Sequence, residues 1–292
     1  MASAARDRWA EWLAERRFGG DSAVRSEMLA RLGEVRDRVL DRADLREGEI
    51  VLDVGCGEGL IGFGALDRGA GAVVFSDVST DLLDFCREAA EELGVLDRCR
   101  FVEASADDLG EIEDASVDVV TTRSVLIYVK DKRTAFGEFT RVLRRGGRVS
   151  LWEPINRFAT PEHSGGRFAG YDLSELPEIA AKLHALDAAI QPPGIDPMLD
   201  FDERDLLRLA EEAGFFPIKL GLDAVIEPAP VRAWDGFLDT AGNPNIPTLR
   251  EAMEQALTPD ERERLRAHLR PLVEGGEGKW RMAFAHLTGT CR

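Results

Sequence analysis

Residues 51 to 59 read Val51-Leu-Asp-Val-Gly55-Cys-Gly57-Glu-Gly59, a short apolar run that leads directly into a glycine-rich turn. Glycines between a strand and a helix let a ligand approach the backbone closely, and they leave the first N–H groups of the helix free. Residues 57–62 also fit the G-x-G-x-x-G pattern of dinucleotide-binding enzymes, which by itself is weak evidence. Asp53 argues against a dinucleotide, because a carboxylate at this point repels a pyrophosphate and favours a ligand with an ammonium group.

Short apolar strands and amphipathic helices alternate downstream of this turn. Such alternation predicts a parallel sheet with helices on both faces. The double glycine in Arg144-Arg-Gly-Gly147 predicts a turn before the fifth strand. The predicted strands cover residues 50–54, 72–75, 100–103, 117–121, 148–153, 217–227 and 280–288. The first predicted helix follows the glycine-rich turn and ends near residue 68. The others cover about 80–93, 131–143 and 201–214.

Two segments rich in proline and glycine interrupt this alternation, and each contains helices of its own. Helical periodicity predicts helices at 174–190, 248–257 and 259–270 inside these segments, and at 5–18 and 22–43 near the start of the chain. We therefore expect six segments: an N-terminal helical lid (1–45), a ligand-binding α/β core (46–155), a cap insertion (156–200), a continuation of the core (201–227), a second cap insertion (228–279) and a last core strand (280–292).

The chain of 292 residues is strongly acidic, with 37 Lys and Arg against 54 Asp and Glu and a net charge of −17. Such a chain repels a phosphate backbone or an anionic membrane unless it carries a basic patch, and the sequence has none. We therefore expect neither a nucleic-acid nor a membrane partner. The four cysteines lack zinc-site spacing, which predicts no metal site. With no apolar leader and no apolar run of ~20 residues, we expect a cytoplasmic protein.

The turn at 51–59 resembles the first motif of the class I S-adenosylmethionine (SAM)-dependent methyltransferases, a strand followed by D-x-G-x-G-x-G. The resemblance continues in order, through the acidic end of the second strand, the fourth-strand motif at 118–126 and the turn at 143–149. It implies a doubly wound, seven-stranded, mostly parallel Rossmann-like α/β sheet. It also implies SAM as the methyl donor and S-adenosylhomocysteine (SAH) as the product. The whole chain is similar to bacterial small-molecule methyltransferases.

The resemblance also implies which residues hold SAM. Asp77 would hold both ribose hydroxyls, although an aspartate there is also favoured as a helix cap. Asp107 or Asp108 would lie near the adenine amino group, and we expect Asp107. The residues implied to contact the cofactor are Asp53, Gly55, Cys56, Gly57, Asp77, Val78, Ala106, Asp107, Thr122 and Arg123.

The catalytic residues are harder to identify, because methyl transfer from a sulfonium needs positioning and desolvation and only sometimes a general base. Side chains beyond the carboxyl ends of the strands are the candidates: Arg123, Glu153, Tyr128 and His163. Each has a second interpretation. Arg123 would pair with a nearby acid, and Glu153 would be a buried hydrogen-bond anchor. Tyr128 would lie at the edge of the core, and His163 would be a solvated loop residue.

Both insertions would leave the sheet at its carboxyl edge if the last strand runs antiparallel, as in the family that the chain resembles. Their aromatic residues are expected to roof an enclosed pocket: Phe158, Phe168, Tyr171, Trp234 and Phe237. Such a pocket suits a small-molecule acceptor, methylated on O, N or C, in a monomer or homodimer. The alternatives are a methyltransferase acting on protein or nucleic acid, a non-catalytic SAM-binding protein and a nicotinamide oxidoreductase. Cys56 also allows an arsenite methyltransferase, which needs several clustered thiolates.

Overall fold

The computed structural model describes residues 6–17, 19, 22–159 and 166–292, and it leaves the side chains of residues 22–30 undescribed. His163, one of the four catalytic candidates, lies outside the described residues. Within the described parts of the chain, no helix has both the length and the apolar surface needed to cross a membrane. In the same residues, no group of three or more His, Cys, Asp or Glu side chains is arranged to hold a metal ion.

The described residues form nine strands, and seven of these strands make one sheet. The strands are β1 (Ile50–Val54), β2 (Ala72–Asp77), β3 (Cys99–Glu103), β4 (Val117–Arg123), β5 (Leu143–Pro154), β6 (Arg167–Phe168), β7 (Tyr171–Asp172), β8 (Phe215–Pro228) and β9 (Lys279–Cys291). The large sheet has the order β3-β2-β1-β4-β5-β9-β8, and β6 pairs with β7 separately. The pairs among β1 to β5 are parallel, whereas β9 runs antiparallel to β5. The predicted seven-stranded, mostly parallel sheet is confirmed.

The helices follow the predicted order with small shifts at their ends. They are α1 (Arg8–Glu11), α2 (Ser22–Arg42), α3 (Leu60–Asp67), α4 (Thr80–Glu92), α5 (Lys132–Val142), α6 (Pro177–Ile190), α7 (Glu203–Glu212), α8 (Trp234–Leu238), α9 (Leu249–Ala256) and α10 (Pro259–Gly275). A π-helical turn continues α1 over Trp12–Arg16. Three helices, α7, α9 and α10, begin with a capping box, which satisfies backbone donors at the N-terminus and fixes the first residue.

The predicted turn at 144–147 lies inside β5 rather than before it. Val117 of β4 pairs with Leu143 and Val119 pairs with Arg148, so four residues of β5 bulge out of the ladder. Gly146 in this bulge has a φ of 81°, a conformation that glycine adopts without strain. The short elements α8, β6 and β7 were not predicted, because two to five residues show too little periodicity.

The chain divides into two compact units. The core unit comprises Arg31–Ile155, Phe201–Asp223 and Phe284–Arg292, and the insertion unit comprises Met1–Ala30, Asn156–Asp200 and Ala224–Ala283. The core unit thus includes the second half of α2, inside the segment 1–45 that the sequence assigns to a lid. Hydrogen bonds attach this part of the chain to β5, because Ser150 Oγ donates to the Val39 carbonyl at 2.8 Å and Arg148 Nε donates to the Ala43 carbonyl at 2.8 Å.

The core unit buries apolar side chains against both faces of its sheet. On one face, Leu40 of α2, Ile61 of α3 and Leu83 of α4 pack with Val51 and Phe75. Side chains along a strand alternate between faces, so the residues between these point to the other face. Helix α5 covers that face and packs on β5 and α7.

The insertion unit has a hydrophobic core of its own, made by the β6–β7 hairpin and the helices α6, α8, α9 and α10. Tyr171 lies in this core, is 1% exposed and contacts the ring of Phe237 edge to face at 5.5 Å. Phe168 and Trp234 belong to the same cluster. Tyr171 is therefore a core residue of this unit.

Candidate functional site

The glycine-rich turn connects β1 to α3 at the carboxyl edge of the sheet. Gly55, Gly57 and Gly59 have positive φ angles of 63°, 54° and 79°. A Cβ at Gly55 would lie 2.4 Å from Cγ2 of Val125, so both conformation and space require glycine there. Gly59 N donates to the Cys56 carbonyl at 2.9 Å and closes the turn. The turn therefore offers backbone atoms to a ligand at close range.

Asp53 is 2% exposed and supports this turn from within the sheet. Its Oδ2 accepts a hydrogen bond from Gly62 N at 2.9 Å, and its Oδ1 accepts one from the Thr121 hydroxyl at 3.2 Å. Burial raises the pKa of Asp53 to about 7, although the two hydrogen bonds and the positive charge of Arg123 lower it. The carboxyl group is therefore close to half ionised at neutral pH, and an incoming ammonium group would favour the ionised form.

Asp77 is 7% exposed and links the end of β2 to the glycine turn. Its Oδ2 accepts from Gly57 N at 2.9 Å and its Oδ1 accepts from Ser79 N at 3.0 Å. The side-chain cap of α4 is Ser79, whose Oγ accepts from Leu82 N at 3.1 Å. The simple alternative, in which Asp77 itself caps the helix, therefore does not apply.

The residues expected near adenine follow β2 and β3. Val78 is 47% exposed, which is unusual for valine and leaves an apolar surface beside Asp77. Ala106 is buried. Asp107 is half-buried and accepts a hydrogen bond from the Ser105 hydroxyl, whereas Asp108 is exposed. Of the two acids, Asp107 thus has the more restricted side chain.

Glu153 is completely buried at the end of β5 and holds the loop that follows β4. Its Oε1 accepts from the Thr122 hydroxyl at 2.8 Å, and both oxygens accept from Val125 N at 3.1 Å. Burial raises the pKa of Glu153 to about 7, against hydrogen bonds from Thr122 and the backbone of Val125, Leu126 and Ile127, which lower it. These contacts agree with the interpretation of Glu153 as a buried hydrogen-bond anchor. Because the hydroxyl of Thr122 is bound to Glu153, Thr122 has only its backbone to offer a ligand.

Arg123 ends β4 as a half-buried cation among acids. Burial lowers its pKa, while the charges of Asp53 and Glu153 raise it. Among the residues that the structure describes, its guanidinium group makes no hydrogen bond or ion pair. The nearby acids therefore do not occupy its donors, contrary to the ion-pair alternative. Tyr128, half-buried at the end of the short 3-10 turn Leu126–Tyr128, also lies close enough to affect the pKa of Arg123.

Two cysteines meet at the glycine turn, an arrangement that the sequence analysis missed. The Cys86 thiol donates to the Gly57 carbonyl at 3.2 Å, and the Cys56 thiol donates to the same oxygen at 3.8 Å. The hydrogen bond with Cys86 and burial raise the pKa of Cys56, so its thiol stays neutral and is a poor nucleophile. No spacing in the sequence relates these residues, because Cys86 comes from α4.

Comparisons with known proteins identify the family. Residues 52–151 match the family described as Methyltransferase domain. The tRNA 5-carboxymethoxyuridine methyltransferase of Escherichia coli (strain K12) is 36% identical over 101 residues, 35% of this chain and 38% of that protein. This chain thus spans little more than a third of that relative's length. The ubiquinone/menaquinone biosynthesis C-methyltransferase UbiE of Escherichia coli O1:K1 is 30% identical over 181 residues, 60% of this chain and 70% of that protein. The chain belongs to the class I SAM-dependent methyltransferases.

The fold of this family member is shared with solved structures of low sequence identity. The geranyl diphosphate C-methyltransferase of Streptomyces coelicolor A3(2), crystallised with SAH, aligns with a TM-score of 0.50 and 16% identity. The alignment covers 88% of this chain and 76% of that one. At this identity the likeness concerns the fold alone, and the resemblance stated from the sequence is confirmed at the level of the family.

Proposed function

We propose that this protein transfers a methyl group from SAM to an O, N or C atom of a small-molecule acceptor. The observation that carries the proposal is that a buried acid, Asp53, and a cation, Arg123, lie near enough to affect each other's pKa, while the guanidinium of Arg123 makes no hydrogen bond or ion pair with the described residues. SAM ends in an α-amino acid, which is a zwitterion and needs one group of each sign. A nicotinamide dinucleotide has no α-amino acid group, and it would place a negatively charged pyrophosphate next to Asp53.

The remaining cofactor roles follow from position. Asp77 would accept hydrogen bonds from the ribose hydroxyls, and Asp107 one from the adenine amino group. Val78 and Ala106 would cover the adenine ring with apolar surface. Gly55, Cys56, Gly57 and Thr122 would contact SAM through their backbone. When bound, SAM supplies an electrophilic methyl group on a sulfonium, and the protein's contribution is to hold donor and acceptor in line and exclude water.

Acceptor activation is assigned to the loop after β4 and its surroundings. Glu153 positions this loop, and its enclosed carboxyl group is a weaker candidate for direct proton removal than the sequence suggested. Tyr128 and His163 remain predicted catalytic residues, and His163 is the predicted general base. Arg123 would hold the SAM carboxylate, and its spare donors would orient an anionic acceptor.

We infer that different segments of the chain hold SAM and select the acceptor. The segments that hold SAM are 46–155, 201–227 and 280–292. The segments that select the acceptor are 1–45, 156–200 and 228–279. The support is that the insertion unit has its own hydrophobic core, which a SAM site does not require. The net charge of −17 favours a small acceptor over RNA. A monomer or homodimer in the cytoplasm, without nucleic-acid or membrane partners, stays a prediction.

A tRNA base is the second candidate acceptor, because a relative at 36% identity is a tRNA methyltransferase. Its aligned segment covers 101 residues, a length close to that of the methyltransferase domain match at 52–151. A segment of this length can be accounted for by a SAM-binding domain alone, so the similarity does not by itself imply a shared acceptor.

The test is transfer of a tritiated methyl group from SAM to three fractions of a bacterial extract: a filtrate below about 3 kDa, total tRNA and total protein. We expect label in the filtrate with the wild-type protein and none with Asp77→Ala. Label in tRNA would favour the second candidate. Failure of the wild-type protein to bind SAM in calorimetry would contradict both.

A further inference from the structure

A cavity of about 400 Å³ opens in the insertion unit, lined entirely by residues of α8, α9 and α10. This volume lies in the range of small-molecule sites, ~300–1,000 Å³. Its apolar side is formed by Trp234, Leu238 and Met253, which also belong to the hydrophobic core of the unit. These three side chains are 5–7% exposed, so the cavity has an apolar floor that the core holds in place and that a ring or an aliphatic body could cover.

Four arginines supply the positively charged part of the cavity lining. Arg262, Arg266 and Arg270 follow one another at four-residue spacing on one face of α10, and Arg250 of α9 joins them. Like charges four residues apart on a helix destabilise it. An anionic ligand bound between these arginines would relieve this repulsion.

Acidic residues pair with three of the four arginines that line the cavity. Arg250 pairs with Asp239 at 2.6 Å, and Arg270 pairs with Glu274 at 2.9 Å. Arg266 meets Glu263 at 3.5 Å, a long and exposed contact.

The guanidinium of Arg262 has no hydrogen-bond or ion-pair partner in the described part of the chain. Each paired guanidinium has five N–H donors and uses one to three of them, so further donors remain for a ligand. Glu254 and Asp235 also line the cavity, so a ligand must avoid these carboxylates while reaching Arg262.

We propose that this cavity binds a small organic anion, a carboxylate or phosphate ester on an aromatic or aliphatic body, with the anionic group on Arg262 and the body on Trp234. The charged group supplies selectivity and the body supplies contact area with the floor. The site is built only from the insertion unit and lies in the segment 228–279 that is proposed to select the acceptor. None of its residues belongs to the glycine turn, so binding at this site can be measured separately from SAM binding.

The test is calorimetric titration of the full-length protein with 1-naphthyl phosphate, with SAH at saturation so that the proposed cofactor site is filled. We expect one binding site, with an affinity at least ~10-fold higher than for 1-naphthol or inorganic phosphate. Equal affinity for 1-naphthol would overturn the role of the anion, and equal affinity for phosphate would overturn the role of the body. No binding at millimolar concentration would overturn the site.

Two arginine variants on the same helix locate the binding. Arg262→Gln should weaken 1-naphthyl phosphate binding ~10-fold or more, because it removes a charge-assisted hydrogen bond. Arg264→Gln is the matched control, since Arg264 is exposed, does not line the cavity and pairs with Glu178 at 2.7 Å. Equal effects of the two substitutions would overturn the proposal. SAH binding, titrated separately, reports on the proposed function alone.

Discussion

SAM binding should release a proton from Asp53. In the free protein, burial raises the pKa of this carboxyl group to about 7. An ammonium group placed beside it favours the carboxylate, so its pKa falls in the complex and the proton leaves. The ammonium of SAM, an α-amino group with a pKa of ~7.7–8.0, stays charged between pH 5 and 7.

The pKa of Asp53 sets how strongly the SAM affinity depends on pH and how many protons are released. With a pKa of about 7, roughly 1% of Asp53 is ionised at pH 5 and half at pH 7, so SAM should bind about 50-fold more weakly at pH 5. At pH 6 about 0.9 proton should leave for each SAM bound, if the pKa in the complex lies well below 6. Calorimetry at pH 6 in two buffers with different ionisation enthalpies measures this number directly.

Two substitutions make the measurement specific. Asp53→Asn keeps an oxygen for the Gly62 N–H, but it should abolish proton release and remove the pH dependence of affinity. Glu153→Gln is the matched control, because burial also raises the pKa of Glu153 to about 7 while backbone donors enclose it. It should keep the proton release. The reasoning is refuted if the wild-type protein releases no proton, or if Glu153→Gln loses the release and Asp53→Asn retains it.

The same shift affects stability in the absence of SAM. The folded-state pKa of Asp53 lies above the ordinary value of 3.8, so ionisation of this group opposes folding. The stabilising contribution of the neutral form is complete below pH 3.8 and is lost as the pH rises through about 7. Asp53→Asn should therefore flatten the fall in the free energy of unfolding between about pH 4 and 7, measured by urea titration.

Four further outcomes are expected. Asp77→Ala should weaken SAM binding ~10–100-fold in calorimetry while the circular dichroism spectrum stays unchanged, and an unaltered dissociation constant would contradict the ribose assignment. SAH should raise the melting temperature and NAD should not, since only a ligand of the native state stabilises it. Gly55→Ala should lower the free energy of unfolding by ~1 kcal/mol or more, because φ is positive and Val125 occupies the space, whereas Gly33→Ala, in an open helical position, should raise it by up to ~1 kcal/mol. Tyr171→Ala should cost ~3–5 kcal/mol in urea unfolding, as for a core aromatic, with little change in the SAM affinity of the folded protein.

The cofactor half of the site was accessible from sequence because its residues follow strand ends. Asp53 and Asp77 each come at the end of an apolar run, and the carboxyl ends of parallel strands meet at one edge. Order and spacing along the chain therefore place these side chains near one another. The roles assigned to Asp53 and Asp77 remain predictions, whereas the sheet that positions them is confirmed.

The roles of the catalytic candidates could not be predicted from the sequence in the same way. Glu153 follows a strand as Asp77 does, yet its oxygens accept hydrogen bonds from Thr122 and Val125, about thirty residues earlier. Arg123 stands among acids and nevertheless has no partner in the described chain. Hydrogen-bond partners from distant segments distinguish an anchor from a base, and composition or spacing does not reveal them.

The sequence by itself determined the type and order of the elements, because hydrophobic periodicity, capping residues and glycines with positive φ act within a few residues of chain. It also determined the family, because the turn at 51–59 combines a strand, an acid and three glycines in contiguous order. Tertiary structure alone decided that Tyr171 is a core residue, that Cys56 and Cys86 share the Gly57 carbonyl, and that burial raises the pKa of Asp53 to about 7. Burial and charge pairing depend on which distant segments come together, and no local pattern encodes that.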